Sequence, residues 1–95
     1  MRKIIIRVVI AAVILLVGIG VFQWHNYQQK VEYRKEALLY FKEEDYSKTI
    51  SYLGQALKLQ SVFAGKLDLD MTCYLAESHY QLKEYDEAEK IYDKL

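Results

Sequence analysis

The sequence contains no proline and only four glycines, at positions 18, 20, 54 and 65. Because these residues are the strongest helix breakers, their scarcity favours long helices and predicts an all-α fold. The chain of 95 residues has room for one small domain. An apolar N-terminal segment takes part of that length, so the remaining soluble part is expected to be only marginally stable alone.

Cysteine and excess basic charge are also scarce. Cys73 is the single cysteine, so it cannot form an intrachain disulfide, and it is interpreted as a buried thiol. The only charges before residue 30 are those of Arg2, Lys3 and Arg7. Removing these three from the 13 basic residues leaves 10 against 13 acidic residues, so the rest of the chain has a formal charge of −3. This balance argues against nucleic acid as a partner.

One long apolar run is present, IIIRVVIAAVILLVGIGVF at residues 4–22, with a single charge at Arg7. A helix of this length is about 28 Å long, which matches the hydrocarbon core of a bilayer. The long side chain of Arg7 can carry its charge to the headgroups. Aromatic residues typical of the membrane interface follow the run: Phe22, Trp24 and Tyr27. Residues 1–26 are therefore predicted to be a transmembrane signal-anchor helix with its flanks, inserted through residues 4–22.

Basic residues lie near both ends of the apolar run and bear on its orientation. They are Arg2, Lys3 and Arg7, then Lys30, Arg34 and Lys35. Since the second cluster begins eight residues beyond Phe22, we expect a cytoplasmic N-terminus and an extracytoplasmic soluble part. A cleaved signal peptide is the alternative, which would release a soluble exported protein. The apolar run is long for that, and no A-x-A site follows it.

The rest of the chain contains an internal repeat. Residues 33–59 and 72–95 align without gaps when Asp45-Tyr46 is placed on Glu84-Tyr85. The alignment pairs residues of similar kind: Ala37 with Ala76, Phe41 with Tyr80, Thr49 with Ala88, and Leu53 with Tyr92. Apolar residues follow the 3.6-residue period on both sides of each turn, which predicts two helical hairpins.

Helix boundaries follow from capping residues and from the lack of breakers. Residues 23–44 contain no Gly or Pro, so the membrane helix is predicted to run into the first helix of the repeats. Asp45 or Ser47 is predicted to cap the second helix, and Asp68 or Asp70 the third.

The paired stretches resemble the tetratricopeptide repeat (TPR), a helical hairpin with small and aromatic residues at fixed offsets. Matching positions in the first repeat are Tyr33, Ala37, Tyr40, Thr49, Leu53 and Ala56, and in the second Leu75, Ala76, His79, Ala88 and Tyr92. Departures are Glu36 for Leu, Thr72 for an aromatic, His79 for Tyr, Lys83 for the turn Gly and Ser61 for the closing Pro.

The repeats are farther apart than in a plain TPR array. Tyr46 and Tyr85 are 39 positions apart, whereas TPR units recur about every 34. The resemblance therefore implies a TPR-like domain over residues 27–95. Repeat 1 would cover about 30–61 and an incomplete repeat 2 about 69–95. An inserted loop would lie at about 62–68, with Gly65 ending a helix or forming a turn.

TPR proteins bind peptides or proteins in a groove lined by the first helix of each hairpin. The resemblance places Val31, Arg34, Leu38, Phe41, Lys42, Asp70, Cys73, Glu77, Tyr80 and Gln81 in that groove. Arg34 fits the basic place of a carboxylate-binding TPR, but Leu38 occupies the Asn place, so we do not expect a carboxylate clamp. The alternative for Leu38, Phe41 and Tyr80 is packing between helices.

The sequence offers no pattern for catalysis, a cofactor or a metal. Cys73 and His79 are six residues apart, which turns them about 240° around a helix, and His25 lies in the interfacial flank. No phosphate-binding loop, metal-ligand spacing or nucleophile motif occurs. We therefore expect a protein that is not an enzyme.

The expected function is a membrane-tethered TPR scaffold or adaptor for a peptide or protein partner. Two repeats bury little core, so we expect the chain to be an N-terminal fragment continued by further repeats, or a homo-oligomer whose second subunit covers the open face. Two alternatives stay open. One is an exported soluble TPR protein after signal cleavage, and the other is a docking or regulatory arm of a larger enzyme.

Overall fold

The computed structural model describes all residues, 1–95, and they form four helices and no strand. The helices are α1 (Arg2–Lys42), α2 (Tyr46–Lys58), α3 (Gly65–Gln81) and α4 (Tyr85–Asp93). The molecule is elongated, with principal extents of 66 × 26 × 16 Å. The predicted all-α fold class is confirmed.

Helix α1 is 41 residues long and has no break. Because no Gly or Pro follows Gly20 before Lys42, nothing in the backbone interrupts its hydrogen-bond ladder. The predicted continuity between the apolar segment and the first helix of the repeats is therefore confirmed. Every residue from 1 to 19 is exposed, and none of the most apolar window of α1 is buried inside the structure. By length and composition, α1 can cross a membrane.

The four helices form two antiparallel hairpins, as aromatic contacts show. In the first hairpin the Tyr40 ring stacks on Tyr52 at 5.4 Å between centroids, and Phe41 contacts Tyr46 edge to face at 5.6 Å. In the second, Tyr80 contacts Tyr85 at 5.2 Å. Helix α3 packs against both α2 and α1, so the two hairpins share one core.

Small and apolar side chains fill that core. Ala37, Leu53, Ala56 and Met71 are fully buried and in mutual contact. Small residues let helix backbones approach closely, which explains why alanine occupies the crossings. Of the eleven positions that match the repeat pattern, six are buried: Ala37, Thr49, Leu53, Ala56, Ala76 and Ala88. Tyr92 is exposed, and the other four are partly buried.

The two hairpin turns have the same backbone geometry. Glu44 has φ 61° and Lys83 has φ 65°, the only non-glycine residues with positive φ. Each turn closes with an amide that donates five residues back, Asp45 N to Tyr40 O and Glu84 N to His79 O, both at 2.9 Å. Both turns are therefore Schellman motifs, in which the left-handed residue ends the first helix.

Helix α3 begins earlier in the chain than the predicted caps Asp68 and Asp70 indicate. The side chain of Asp45 caps α2 by accepting from Lys48 N at 3.3 Å, as predicted. By contrast, α3 begins at Gly65 after Ala64, which makes no side-chain cap bond. Asp68 and Asp70 thus lie inside the helix and do not cap it.

A loop was predicted at 62–68, with Gly65 ending a helix or forming a turn. This prediction is wrong for residues 65–68, because they form the first turn of α3. The helix can start early because Leu67 packs against the core, and because Asp68 in the first turn interacts favourably with the helix dipole. The segment that connects the hairpins is residues 59–64, which we call the connecting loop.

Candidate functional site

Two ion pairs join α1 to α3. Lys30 Nζ lies 2.6 Å from Asp68 Oδ1, and Arg34 Nε lies 2.6 Å from Asp70 Oδ2. The Lys30 side chain is fully buried, whereas Asp68 is partly exposed. A buried ammonium group is tolerated only when it is paired. The two pairs therefore hold α1 and α3 side by side in one register.

An open groove of about 350 Å³ lies beside these ion pairs. Its lining comes from α1, α3 and α4: Phe41, Asp70, Cys73, Tyr74, Glu77 and Tyr92. The Phe41 ring contacts Tyr74 edge to face at 5.1 Å, so one wall of the groove is aromatic. Aromatic walls with a few polar groups are typical of surfaces that bind peptides.

One negative charge in the groove has no basic partner. Asp70 is neutralised by Arg34, but Glu77 makes no ion pair. Glu77 accepts hydrogen bonds from Gln81 Nε2 at 2.9 Å and from the Tyr92 hydroxyl at 3.4 Å. Partial burial raises the pKa of Tyr92 above its ordinary value, and the charge of Glu77 adds to the effect. The Tyr92 hydroxyl thus donates to Glu77, and Glu77 gives the groove an acidic side chain.

The structure brings four of the ten predicted groove residues together: Phe41, Asp70, Cys73 and Glu77. The other six do not line the groove: Val31, Arg34, Leu38, Lys42, Tyr80 and Gln81. Arg34 and Gln81 act on it indirectly, because they bond to Asp70 and Glu77. Tyr80 instead contacts Tyr85. Cys73 is exposed, so its interpretation as a buried thiol is wrong.

Sequence reasoning missed two groove residues, Tyr74 and Tyr92. Tyr74 lies four residues after Asp70 and three before Glu77, a spacing that places all three on one helix face. That signal was available in the sequence. Tyr92 comes from α4, and the repeat alignment assigned it to packing, although it is about half exposed. No local pattern indicates that a second helix of a hairpin contributes to the groove.

The connecting loop is bonded to α1 just after the apolar run. The Ser61 hydroxyl donates to the Gln23 carbonyl at 2.8 Å, and the Val62 amide donates to Gln23 Oε1 at 3.0 Å. Asn26 Nδ2 donates to the Gln60 carbonyl at 2.8 Å. An open, mostly polar cavity of about 300 Å³ lies between this loop, the end of α2 and Gln23.

The second hairpin exposes apolar and aromatic side chains along its length: Tyr80, Leu82, Tyr85, Tyr92 and Leu95. Helix α4 has only nine residues and buries a single one, Ala88.

No group of three or more His, Cys, Asp or Glu side chains is arranged to hold a metal ion.

Comparison with known proteins gives no match: no protein-family model, no curated protein and no solved structure matches this chain. The class is therefore defined by the fold alone. It is an all-α chain in which an apolar N-terminal helix continues without a break into two packed helical hairpins.

Proposed function

We propose that this chain is a membrane-tethered TPR scaffold or adaptor that presents a helical groove to a peptide or protein partner. The observation that carries the proposal is that Phe41, in the groove, lies on the same unbroken helix as the apolar residues 4–22. From Phe22 to Phe41 the helix rises about 28 Å. Such a helix fixes the distance between the groove and the end of the apolar run.

The repeated geometry of the two hairpins supports the TPR assignment. Glu44 and Lys83 occupy equivalent positions, 39 residues apart, and both are left-handed. Ala37 and Ala76 are both fully buried at the same spacing. Repeating units that conserve their turn and their close helix crossing are the basis of solenoid architectures. The shared turn and helix crossing support the assignment of both hairpins as TPR-like units.

The proposed orientation places the N-terminus in the cytoplasm and the hairpins outside it, because Arg2, Lys3 and Arg7 are the basic residues nearest the apolar run. A reporter enzyme that is active only outside the cytoplasm, fused after Leu95, tests this orientation. We expect the reporter to be active. An inactive fusion that is present at a normal level would mean that the orientation is the reverse of the proposed one.

Cleavage of the apolar segment is the competing interpretation, since a signal sequence passes the same length and composition test. The intact mass of the protein from the membrane fraction separates the two. We expect the uncleaved chain. A product that begins near Val21 or Phe22 would contradict the anchor and support an exported soluble protein.

The chemistry of the groove favours a partner segment with basic and apolar side chains. The unpaired carboxylate of Glu77 attracts a Lys or Arg side chain. The faces of Phe41, Tyr74 and Tyr92 accept apolar groups and the cation of the same side chain. Binding is expected to weaken as salt is added, because the groove is open to solvent.

This partner preference is tested with the full chain in lipid nanodiscs. Peptides selected from a random library are expected to be enriched in Lys or Arg next to an apolar residue. In fluorescence anisotropy, Glu77→Gln should weaken their binding about tenfold, which corresponds to about 1.4 kcal/mol. Glu89→Gln is the matched control, because Glu89 is exposed and lies outside the groove. Equal affinity of both variants for the selected peptides would exclude the groove as the binding site.

A further inference from the structure

The connecting loop lies level with the end of the apolar run. Two of its residues, Ser61 and Val62, bond directly to Gln23, which follows Phe22. Adjacent residues of a helix differ by about 1.5 Å along its axis. The hydrogen-bonded atoms of the loop therefore lie within a few Å of the height at which α1 leaves its apolar segment.

The tip of this loop exposes two large apolar side chains. Val62 is 79% exposed and Phe63 is 55% exposed, although the loop backbone around them is firmly bonded to α1. The Phe63 ring contacts Trp24 edge to face, with 6.2 Å between centroids, and Trp24 stacks on Tyr27 at 5.7 Å. Aromatic and apolar groups are thus clustered on one side of α1, at the height where such residues favour the membrane interface.

Charge around the loop is consistent with a lipid surface. Residues 59–65 carry no charge, and Lys58 and Lys66 flank them on either side. Both lysines are exposed and neither makes an ion pair. An apolar tip between two free basic side chains matches a headgroup layer, in which phosphates lie above the acyl chains.

We propose that the connecting loop is a second membrane contact, in which Val62 and Phe63 enter the interfacial layer of the bilayer beside Trp24 while Lys58 and Lys66 face the lipid phosphates. The proposal rests on the proposed membrane span of α1. It goes further, because it turns a single-helix tether into an attachment at two points. The second point lies on the side of α1 that carries Gln23 and Asn26, so it fixes the rotation of the helix about its axis.

The test measures how close single positions are to lipid. In the full chain with Cys73→Ser, an environment-sensitive fluorophore is attached to one new thiol at a time: Gly18→Cys, Val62→Cys or Leu39→Cys. Gly18 lies inside the apolar run, and a side chain there meets no neighbouring atom. Leu39 is the control, because it is 54% exposed and lies on α1 about 24 Å beyond Gln23. The protein is reconstituted into vesicles with and without lipid that carries a spin-label quencher near the top of the acyl chain.

We expect the quencher to reduce the fluorescence at positions 18 and 62 and to leave that at position 39 unchanged. If the fluorescence at position 18 is quenched while that at position 62 is quenched no more than that at position 39, the loop contact is excluded and the membrane span stands. If position 18 is not quenched, the span itself is wrong and the loop proposal fails with it.

Discussion

The ammonium nitrogen of Lys30 lies 2.6 Å from a carboxylate oxygen of Asp68, although the two residues are 38 positions apart in the chain. The Lys30 side chain is excluded from solvent. Lysine is almost never fully buried without a partner. This contact therefore provides the acceptor that the buried ammonium group of Lys30 needs where α1 and α3 lie side by side.

Replacing Asp68 by Ala should lower the free energy of unfolding by about 2 kcal/mol, because it leaves a buried cation without its acceptor. Circular dichroism melts of the full chain in a mild detergent measure the change. Asp86→Ala is the matched control, since Asp86 also lies in the first turn of its helix but makes no ion pair. If both variants melt at the same temperature, the ion pair contributes nothing to stability.

The left-handed turn residues predict a stabilising change. Lys83→Gly should raise the free energy of unfolding by about 0.5 to 1 kcal/mol, because a left-handed conformation strains any side chain with a Cβ atom. Chemical denaturation of the full chain, followed by circular dichroism, would report the gain.

The comparison variant for that turn is Lys90→Gly, at an exposed position within α4. Glycine should cost up to about 1 kcal/mol there, since it is a poor helix former and the change also removes the exposed Lys90–Glu87 ion pair. A loss of stability in both variants would mean that Lys83 is not left-handed in solution.

Ala88 is 2% exposed in a helix that otherwise buries nothing. Ala88→Leu inserts bulk into a packed contact and should cost about 1 to 3 kcal/mol, which lowers the melting temperature and weakens binding of the proposed partner. Glu87→Leu, at the neighbouring exposed position, should do neither. Equal melting temperatures for the two variants would contradict the register of the second hairpin.

The stability of the fold should also fall at high pH. The neighbouring Tyr40 hydroxyl, then partial burial, raises the pKa of Tyr52 above its ordinary value of 10. The unfolded chain therefore loses this proton more easily than the folded chain. Stability is at its full value below pH 10 and declines from there up to the folded-state pKa. Thermal melts can be recorded between pH 9 and pH 12 at intervals of about half a pH unit. The decline of the melting temperature with pH should be smaller for Tyr52→Phe than for the unchanged protein.

Local features of the fold were predictable, because they depend on residues close together in the sequence. The 3.6-residue period predicts the hairpins, and the lack of Gly and Pro after Gly20 predicts the unbroken α1. The alanines at 37, 76 and 88 predict the helix crossings. The lengths and turns of helices follow from such local rules, and so does part of the groove, through Asp70, Cys73 and Glu77 on one face of α3.

The missed features depend on contacts between distant residues. The pairs Lys30–Asp68 and Arg34–Asp70 join residues 38 and 36 positions apart, and no periodicity encodes such a partnership. The early start of α3 depends on a distant residue in the same way. The sequence pattern indicates Asp68 as a helix cap, but in the structure the Asp68 carboxylate accepts a hydrogen bond from Lys30. Tyr92 joins the groove only because α4 folds back along α3.

Given the proposed membrane span, the unbroken course of α1 makes bilayer thickness a variable in how the groove meets the proposed partner. Membrane-spanning helices tilt by about 20° on average, and they tilt more when the bilayer is thin. Because α1 does not bend between Phe22 and Phe41, a tilt of about 20° over about 28 Å displaces the groove sideways by about 10 Å. In a thicker membrane α1 would tilt less, and the groove would lie more directly above the point where α1 enters the bilayer. The frequency of contact with a partner at a fixed position would therefore differ between membranes of different thickness.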